Sequence, residues 1–195
     1  NDGETSALAS AAVISFTTAN STADSLTISS NGADGQDTVD TAVFLSIVVT
    51  DNDATNAIVL NDSTNGDDLT LVVTGDITAD VATTANDLTI LVDATATDDG
   101  GDTTLILNGA TLDLGQGTGI TLNSDANDIA TVKFNRGSAQ TLEGNITASA
   151  DGEGVVIISG SSLTTQDDIG VAGTGVASIQ IAASKTLTQK AATGD

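Results

Sequence analysis

The chain keeps repeating a phrase the size of one β-strand. One or two small polar residues lead into Leu or Ile, then Thr, then another aliphatic residue. The copies are Asp24-Ser25-Leu26-Thr27-Ile28, Asp67-Asp68-Leu69-Thr70-Leu71 and Asn86-Asp87-Leu88-Thr89-Ile90, with a looser one at Asn127-Asp128-Ile129-Ala130-Thr131. Further aliphatic runs lie at Leu45-Ser46-Ile47, Leu105-Ile106-Leu107, Val155 to Ile158 and Ile179-Gln180-Ile181. With Leu26, Leu45, Leu69, Leu88, Leu105, Ile129, Val155 and Ile179 as markers, the intervals run from 17 to 26 residues, a drifting period of about 22. Within the runs the period is two: Leu69, Leu71 and Val73 would face one way, and Thr70, Val72 and Thr74 the other. Units of this length cannot bury an aliphatic face alone, so the pattern predicts β rungs stacked on one another.

The side chains available agree with strands. Val, Ile, Leu and Ala supply the apolar 39%, with three Phe (Phe16, Phe44, Phe134) and no Trp, Tyr or Met. Val, Ile and Thr are stiff at χ1 and pack well on a pleated surface, whereas straight-chain helix formers are scarce. Proline is absent, so Gly, Asn, Asp and Ser make the turns. Asn31-Gly32, Asn65-Gly66 and Asn108-Gly109 lie between strand runs, where Asn-Gly readily forms positive-φ hairpin turns. One or two immunoglobulin-like sandwiches therefore stand as the alternative fold, although the missing Trp, Tyr and Pro count against them. Val48-Val49 and Val72-Val73 are apolar on both faces, so those strands are either covered outside or touch a partner. Residues 1–23 read as an N-terminal cap or first rung, with Glu4 to Phe16 either helix or strand, and residues 24–190 as stacked rungs of one elongated domain, 1–195.

The texture of Ile169-Gly170-Val171-Ala172-Gly173-Thr174-Gly175-Val176-Ala177-Ser178-Ile179-Gln180-Ile181-Ala182 resembles the degenerate repeats of autotransporter passengers and rickettsial surface-layer proteins. It is also similar to alphaproteobacterial S-layer proteins. The resemblance spreads over residues 24–190 and is one of style. It implies a right-handed parallel β-helix on the cell exterior, serving as coat, adhesin stalk or fibre.

A formal charge of -23, with 24 Asp among 27 acids and no His, argues against nucleic acid and against anionic membrane surfaces, both of which need a basic footprint. No apolar run approaches the roughly 18 residues of a membrane span. The first residue is Asn and no leader-like stretch precedes it, the expectation for a processed or trimmed chain. Without His, Cys or Tyr, and with only Arg136, Lys133, Lys185 and Lys190 as bases, the usual general bases, thiol nucleophiles and oxyanion clamps are missing, so a non-enzymatic protein is expected. Carboxylate-pair hydrolysis is the one chemistry left, with Asp98-Asp99 or Asp167-Asp168 as its acids. β-Helix pectinases resemble the architecture expected here, but their patterns also use His and basic residues that no segment of this chain supplies.

Asp enrichment has a plain reading, turns and solubility, and a sharper one, clustered carboxylates that hold a hard cation. The candidate calcium ligands are Asp34 and Asp37; Asp51 and Asp53; Asp98, Asp99 and Asp102; and Asn123, Asp125, Asn127 and Asp128. None has a full EF-hand spacing. Gly32 to Val39 resembles one degenerate copy of the calcium-binding nonapeptide of RTX proteins, with Ala33 where Gly is usual. Asn20-Ser21-Thr22, Asn61-Asp62-Ser63 and Asn145-Ile146-Thr147 fit the N-glycosylation pattern.

All four bases follow position 132. Residues 1–132 carry 21 acids and no base, net -21, and residues 133–195 carry six acids and four bases, net -2. A stacked β domain has two ends whose backbone groups must be capped or paired. The expected function is therefore a structural subunit or repeat segment of an extracellular coat (S-layer) or filament. It would self-associate head to tail or laterally through its open β ends, with calcium as a stabiliser. An adhesin passenger that binds a glycan or surface is the alternative, though it lacks the Trp or Tyr platform sugar faces favour.

Overall fold

The computed structural model describes residues 12–16, 23–30, 39–50, 56–61, 68–79, 88–95, 101–115 and 119–190. Every strand pairing among them is parallel, in three sheets. Sheet A holds β1 (Val13–Phe16), β4 (Ser46–Val49), β7 (Ile77–Ala79), β10 (Thr111–Asp113), β13 (Gln140–Glu143), β16 (Leu163–Thr165) and β18 (Leu187–Gln189). Sheet B holds β2 (Ser25–Ser29), β5 (Asn56–Asn61), β8 (Leu88–Ala94), β11 (Gly119–Ser124) and β14 (Asn145–Ala148). Sheet C holds β3 (Val39–Phe44), β6 (Asp68–Val73), β9 (Thr103–Leu107), β12 (Ala130–Phe134), β15 (Glu153–Ile158) and β17 (Val176–Ile181). The chain visits A, B and C in turn, each visit lying on the one before. This is the β-solenoid expected, with the right-handed crossover that parallel strands favour. Purely parallel pairing rules out the hairpins a sandwich requires. Of the stretch read as helix or strand, residues 13–16 are strand, and residues 4–11 lie outside the described part.

Register turns the two-residue alternation into continuous interior columns. In sheet B, Leu26, Ile58, Ile90, Ile120 and Ile146 succeed one another, and an isolated bridge carries the column to Ile169. In sheet C, Ala42, Leu71, Leu105, Val132, Val156 and Ile179 form one column, and Phe44, Val73, Leu107, Phe134, Ile158 and Ile181 the next. Sheet A contributes Ile14, Ile47, Ile77, Leu112 and Leu142. These side chains make one core, with Phe134 its largest fully buried member. Burying an aliphatic side chain is worth about 1.5–3 kcal/mol, and each residue here packs against its own course and both neighbours. Outward, Thr111, Thr141, Thr164 and Thr188 form a ladder on sheet A, and Thr41, Thr70, Thr104 and Thr131 another on sheet C. Val48 and Val72 point outward and are half-buried, while Val49 and Val73 are interior.

The expected course of about 22 residues needs correction. Residues paired in sheet A are separated by 33 (Val13 to Ser46), 30 (Ile47 to Ile77), 35 (Ile77 to Leu112), 30 (Thr111 to Thr141), 23 (Gln140 to Leu163) and 24 (Leu163 to Leu187). The chosen markers lay in different sheets, Leu26 and Leu88 in B but Leu69, Leu105, Val155 and Ile179 in C, and Leu45 sits on a corner, 45% exposed. Their intervals mixed whole and partial courses. Only the last courses are that short, because the excess length of the earlier ones sits in corners between strands.

The C-to-A corner is tight in the first courses, one to three residues from β3/β4 to β9/β10. Gly75 there lies against the Leu45 carbonyl and Gly109 against the Gly75 carbonyl, so a Cβ at either would strike stacked backbone. Asn108-Gly109 is thus no hairpin turn, and Gly109 is not among the positive-φ residues. Its hydrogen side chain serves close approach between courses. Where this corner lengthens, between β12 and β13, buried Gln140 fills it. Its Nε2 donates to the carbonyls of Leu107 (3.0 Å) and Gly109 (2.9 Å), and its Oε1 accepts from the Arg136 N–H (3.3 Å).

Candidate functional site: corner carboxylates and the last strands

Acidic residues are not spread evenly over the three corners. The segments joining sheet B to sheet C carry Asp34 and Asp37, Asp62 and Asp67, Asp98, Asp99 and Asp102, Asp125 and Asp128, and Asp151. Those joining C to A carry Asp76, Arg136 and Lys185. Those joining A to B carry Asp24, Asp51, Asp53, Asp80, Asp87, Asp167 and Asp168 and no base, so two of the three corner series are purely acidic and the C-to-A series holds all the corner bases.

Five carboxylates at or beside the corners, Asp68, Asp76, Asp102, Asp151 and Asp167, accept backbone N–H groups from a neighbouring course. Asp68 Oδ1 accepts from Asp102 N–H (2.9 Å), and Asp102 Oδ1 accepts from Ile129 N–H (2.8 Å). Asp76 Oδ1 takes both Ala110 N–H (2.6 Å) and Thr111 N–H (3.0 Å). Asp151 Oδ1 accepts from Gly175 N–H (3.2 Å) and Asp167 Oδ2 from Gly144 N–H (2.7 Å). Asn56 and Asn145 do the same for Asp24 N–H and Asp168 N–H, each at 3.1 Å. At a bend the parallel ladder lapses and leaves amides unpaired. A short acceptor side chain from the adjacent course closes that gap, and charged acceptors make the stronger bonds.

Six of the candidate calcium ligands, Asp34, Asp37, Asp51, Asp53, Asp98 and Asp99, lie outside the described residues. Asp125, Asn127 and Asp128 share the corner between β11 and β12. There Asp125 Oδ1 accepts from Asn127 N–H (2.8 Å) and Asp128 N–H (3.0 Å), an Asx turn. Asp102 lies on the same edge one course earlier, tied to Ile129. Asn123 is not brought to that corner: it stands on the outer face of sheet B, donating to Asp93 Oδ1 (2.9 Å), which also accepts from Thr95 Oγ1 (2.7 Å). Among the described residues no three of His, Cys, Asp or Glu gather as a metal-holding group. A carboxylate has about four acceptor positions, so those bound to one or two amides keep acceptor capacity.

Asp167 and Asp168 have separate partners: Asp168 Oδ1 accepts from Gln189 Nε2 (2.8 Å) while Asp167 caps Gly144. The Asn145 side chain is likewise engaged, its Oδ1 accepting from Asp168 N–H. Sequence reading missed a carboxylate group on sheet A. Asp113 and Glu143 are register partners on its outer face, and Asp167 is close by. Burial first, then Asp113 and Asp167, push the Glu143 carboxyl above its ordinary value, with Lys190 opposing. The signal was outward phase in two strands one course apart, visible only once register is known.

At the C-terminal end, β17 and β18 are the outermost strands of sheets C and A. Ile179 and Ile181 continue interior columns yet are 40% and 46% exposed, because no described strand lies beyond them. No protein-family model, curated protein or solved structure matches this chain.

Proposed function

We propose that this chain is a non-enzymatic structural segment of an extracellular coat or filament, a stiff acidic rod that associates through its β ends. The carrying observation is the use made of its side chains: aliphatic residues form columns through successive courses, and described corner carboxylates hold the backbone of the next course. That chemistry builds length and stiffness. The resemblance in texture to surface-layer and autotransporter repeats agrees with such a role, and the net charge of -23 suits a solvent-facing surface.

Calcium enters the proposal through the sheet B-to-C edge. A divalent cation would bridge carboxylates of adjacent courses there and relieve their repulsion. Purified protein is expected to self-associate, and to do so more readily in millimolar calcium than in sodium chloride of equal ionic strength. Light scattering that stays monomeric across both series refutes the assembly role. Electron microscopy of native material should show a regular lattice or fibre; isolated stalks would point to an adhesin.

A further inference from the structure

The three outer faces of the solenoid differ in what they offer. Outward positions on sheet A include Asp113 and Glu143, and those on sheet B include Asp93. On sheet C the threonine ladder continues through Val155 to Ser178, and the column beside it is Val43, Val72, Ile106, Lys133, Ile157 and Gln180. These two columns hold no acid, in a chain of net charge -23, and their aliphatic side chains are only half-buried. Acids return in the next column, at the margin toward sheet B, where Asp68, Asp102, Ile129 and Glu153 succeed one another. The face is thus polar across its width, negative along that margin and with Lys133 near the opposite one.

Repeat and charge together select the partner. Columns that recur about every 4.8 Å fit best a surface with the same repeat, and the same face of a second copy has it. Charge then sets how the copies lie. A two-fold axis parallel to the rod and centred on the threonine column crosses the margins over. Lys133 of each copy then lies against the acidic margin of the other, level with Ile129 and between Asp102 and Glu153. A two-fold along the strands instead sets acidic margin on acidic margin. Opposite charges across the contact favour the first arrangement. Six courses of about 4.8 Å and five residues of about 3.3 Å give roughly 480 Å² in projection, so a pair buries about 1,000 Å², the lower limit for a specific contact. One such pair is weak, and rods joined along their length add these contacts together.

We infer that the outer face of sheet C binds the same face of a second copy, with the two rods side by side and running in the same direction. This rests on the reading of the chain as a self-associating rod and adds a lateral contact to the association of its ends. The pairing widens the rod without opposing growth along it, as a fibre or coat of paired rods requires.

The chain has no cysteine, so single-cysteine variants report the contact directly. Packed sheets lie about 10 Å apart, within reach of a short bismaleimide, whereas Thr41 and Ser178, at opposite ends of the central column, are separated by about 24 Å. In calcium-free buffer, Thr41→Cys and Ser178→Cys should each cross-link to a dimer alone. When the two are mixed, one of them carrying a size tag, no mixed dimer should form, and Thr141→Cys on sheet A should not cross-link. Lys133→Glu added to Thr41→Cys should cut the yield about tenfold while circular dichroism and melting stay unchanged, and Glu153→Lys added to both should restore it. A yield unaffected by Lys133→Glu overturns the crossing of margins, and dimers formed only between Thr41→Cys and Ser178→Cys overturn the common direction. No cross-link in either variant, while light scattering shows mass still climbing, overturns the face-to-face contact, leaves that face to an occupant of other chemistry and leaves end association standing. A monomer at every concentration overturns both.

Discussion

Two residues show how strictly the interior is held to aliphatic packing. Thr165 lies in the sheet A column beyond Leu142, fully buried, and its Oγ1 has no hydrogen-bond partner. A buried hydroxyl left unpaired forfeits its water bonds, so Thr165→Val, which keeps the branched shape, should raise stability by about 1 kcal/mol. Denaturant titration would check this against outward Thr164→Val, expected within about 0.5 kcal/mol of the parent. Glu143 is the opposite case, an outward carboxyl beside Asp113 and Asp167. Its folded pKa is raised from 4.5, so its contribution is most favourable when protonated, below that ordinary value, and is lost as pH rises through the folded value. Glu143→Gln should then melt higher than the parent at pH 7, and the difference should vanish near pH 4. Screening at this partly exposed site keeps the gain below about 1 kcal/mol. A variant that melts lower at pH 7 would show that the carboxylate's contacts outweigh its repulsion.

Strands and corners differ in how far the sequence reveals them. Alternation in Leu69 to Thr74 identified a strand and its buried face correctly, because a two-residue period is a local property. Course length is not local. It depends on how many residues each corner holds, from Gly144 alone between β13 and β14 to the nine residues between β2 and β3. Sequence intervals between similar phrases could not separate one sheet from another. The corner acids were recognisable as turn residues, but not the amides they accept, since Asp68 and Asp102 are 34 residues apart and meet only through stacking. Asn108-Gly109 carried a hairpin signal and proved to be a stacked corner whose glycine admits the neighbouring backbone. Gly75→Ala and Gly109→Ala should each cost about 1–3 kcal/mol by forcing adjacent courses apart. Gly137, on the same corner, has nothing within 4 Å of a Cβ, so Gly137→Ala should be neutral. Melting temperatures of the three would separate close approach from a general need for flexible corners.

At the scale of the molecule the columns and the charges oppose each other. The aliphatic interior runs from Ile14 to Ile158 without a break, so the core alone would make the described courses similarly stable. Charge is uneven: 21 acids and no base before residue 133, against net -2 after it. Courses stack about 4.8 Å apart, so carboxylates on neighbouring courses lie inside the ~8 Å screening length of physiological salt and outside the ~3 Å length at 1 M. In a stacked repeat protein stability is a sum over courses and their interfaces, and opening begins where that sum is smallest. The N-terminal courses should therefore open first at low ionic strength. Amide exchange in 10 mM salt should be faster in β2 and β5 than in β12 and β15, and 1 M sodium chloride should narrow the gap while raising the melting temperature by several degrees. Equal protection at both ends in low salt would mean that the corner carboxylates, held by the backbone amides they accept, repel one another too weakly to set where the rod opens.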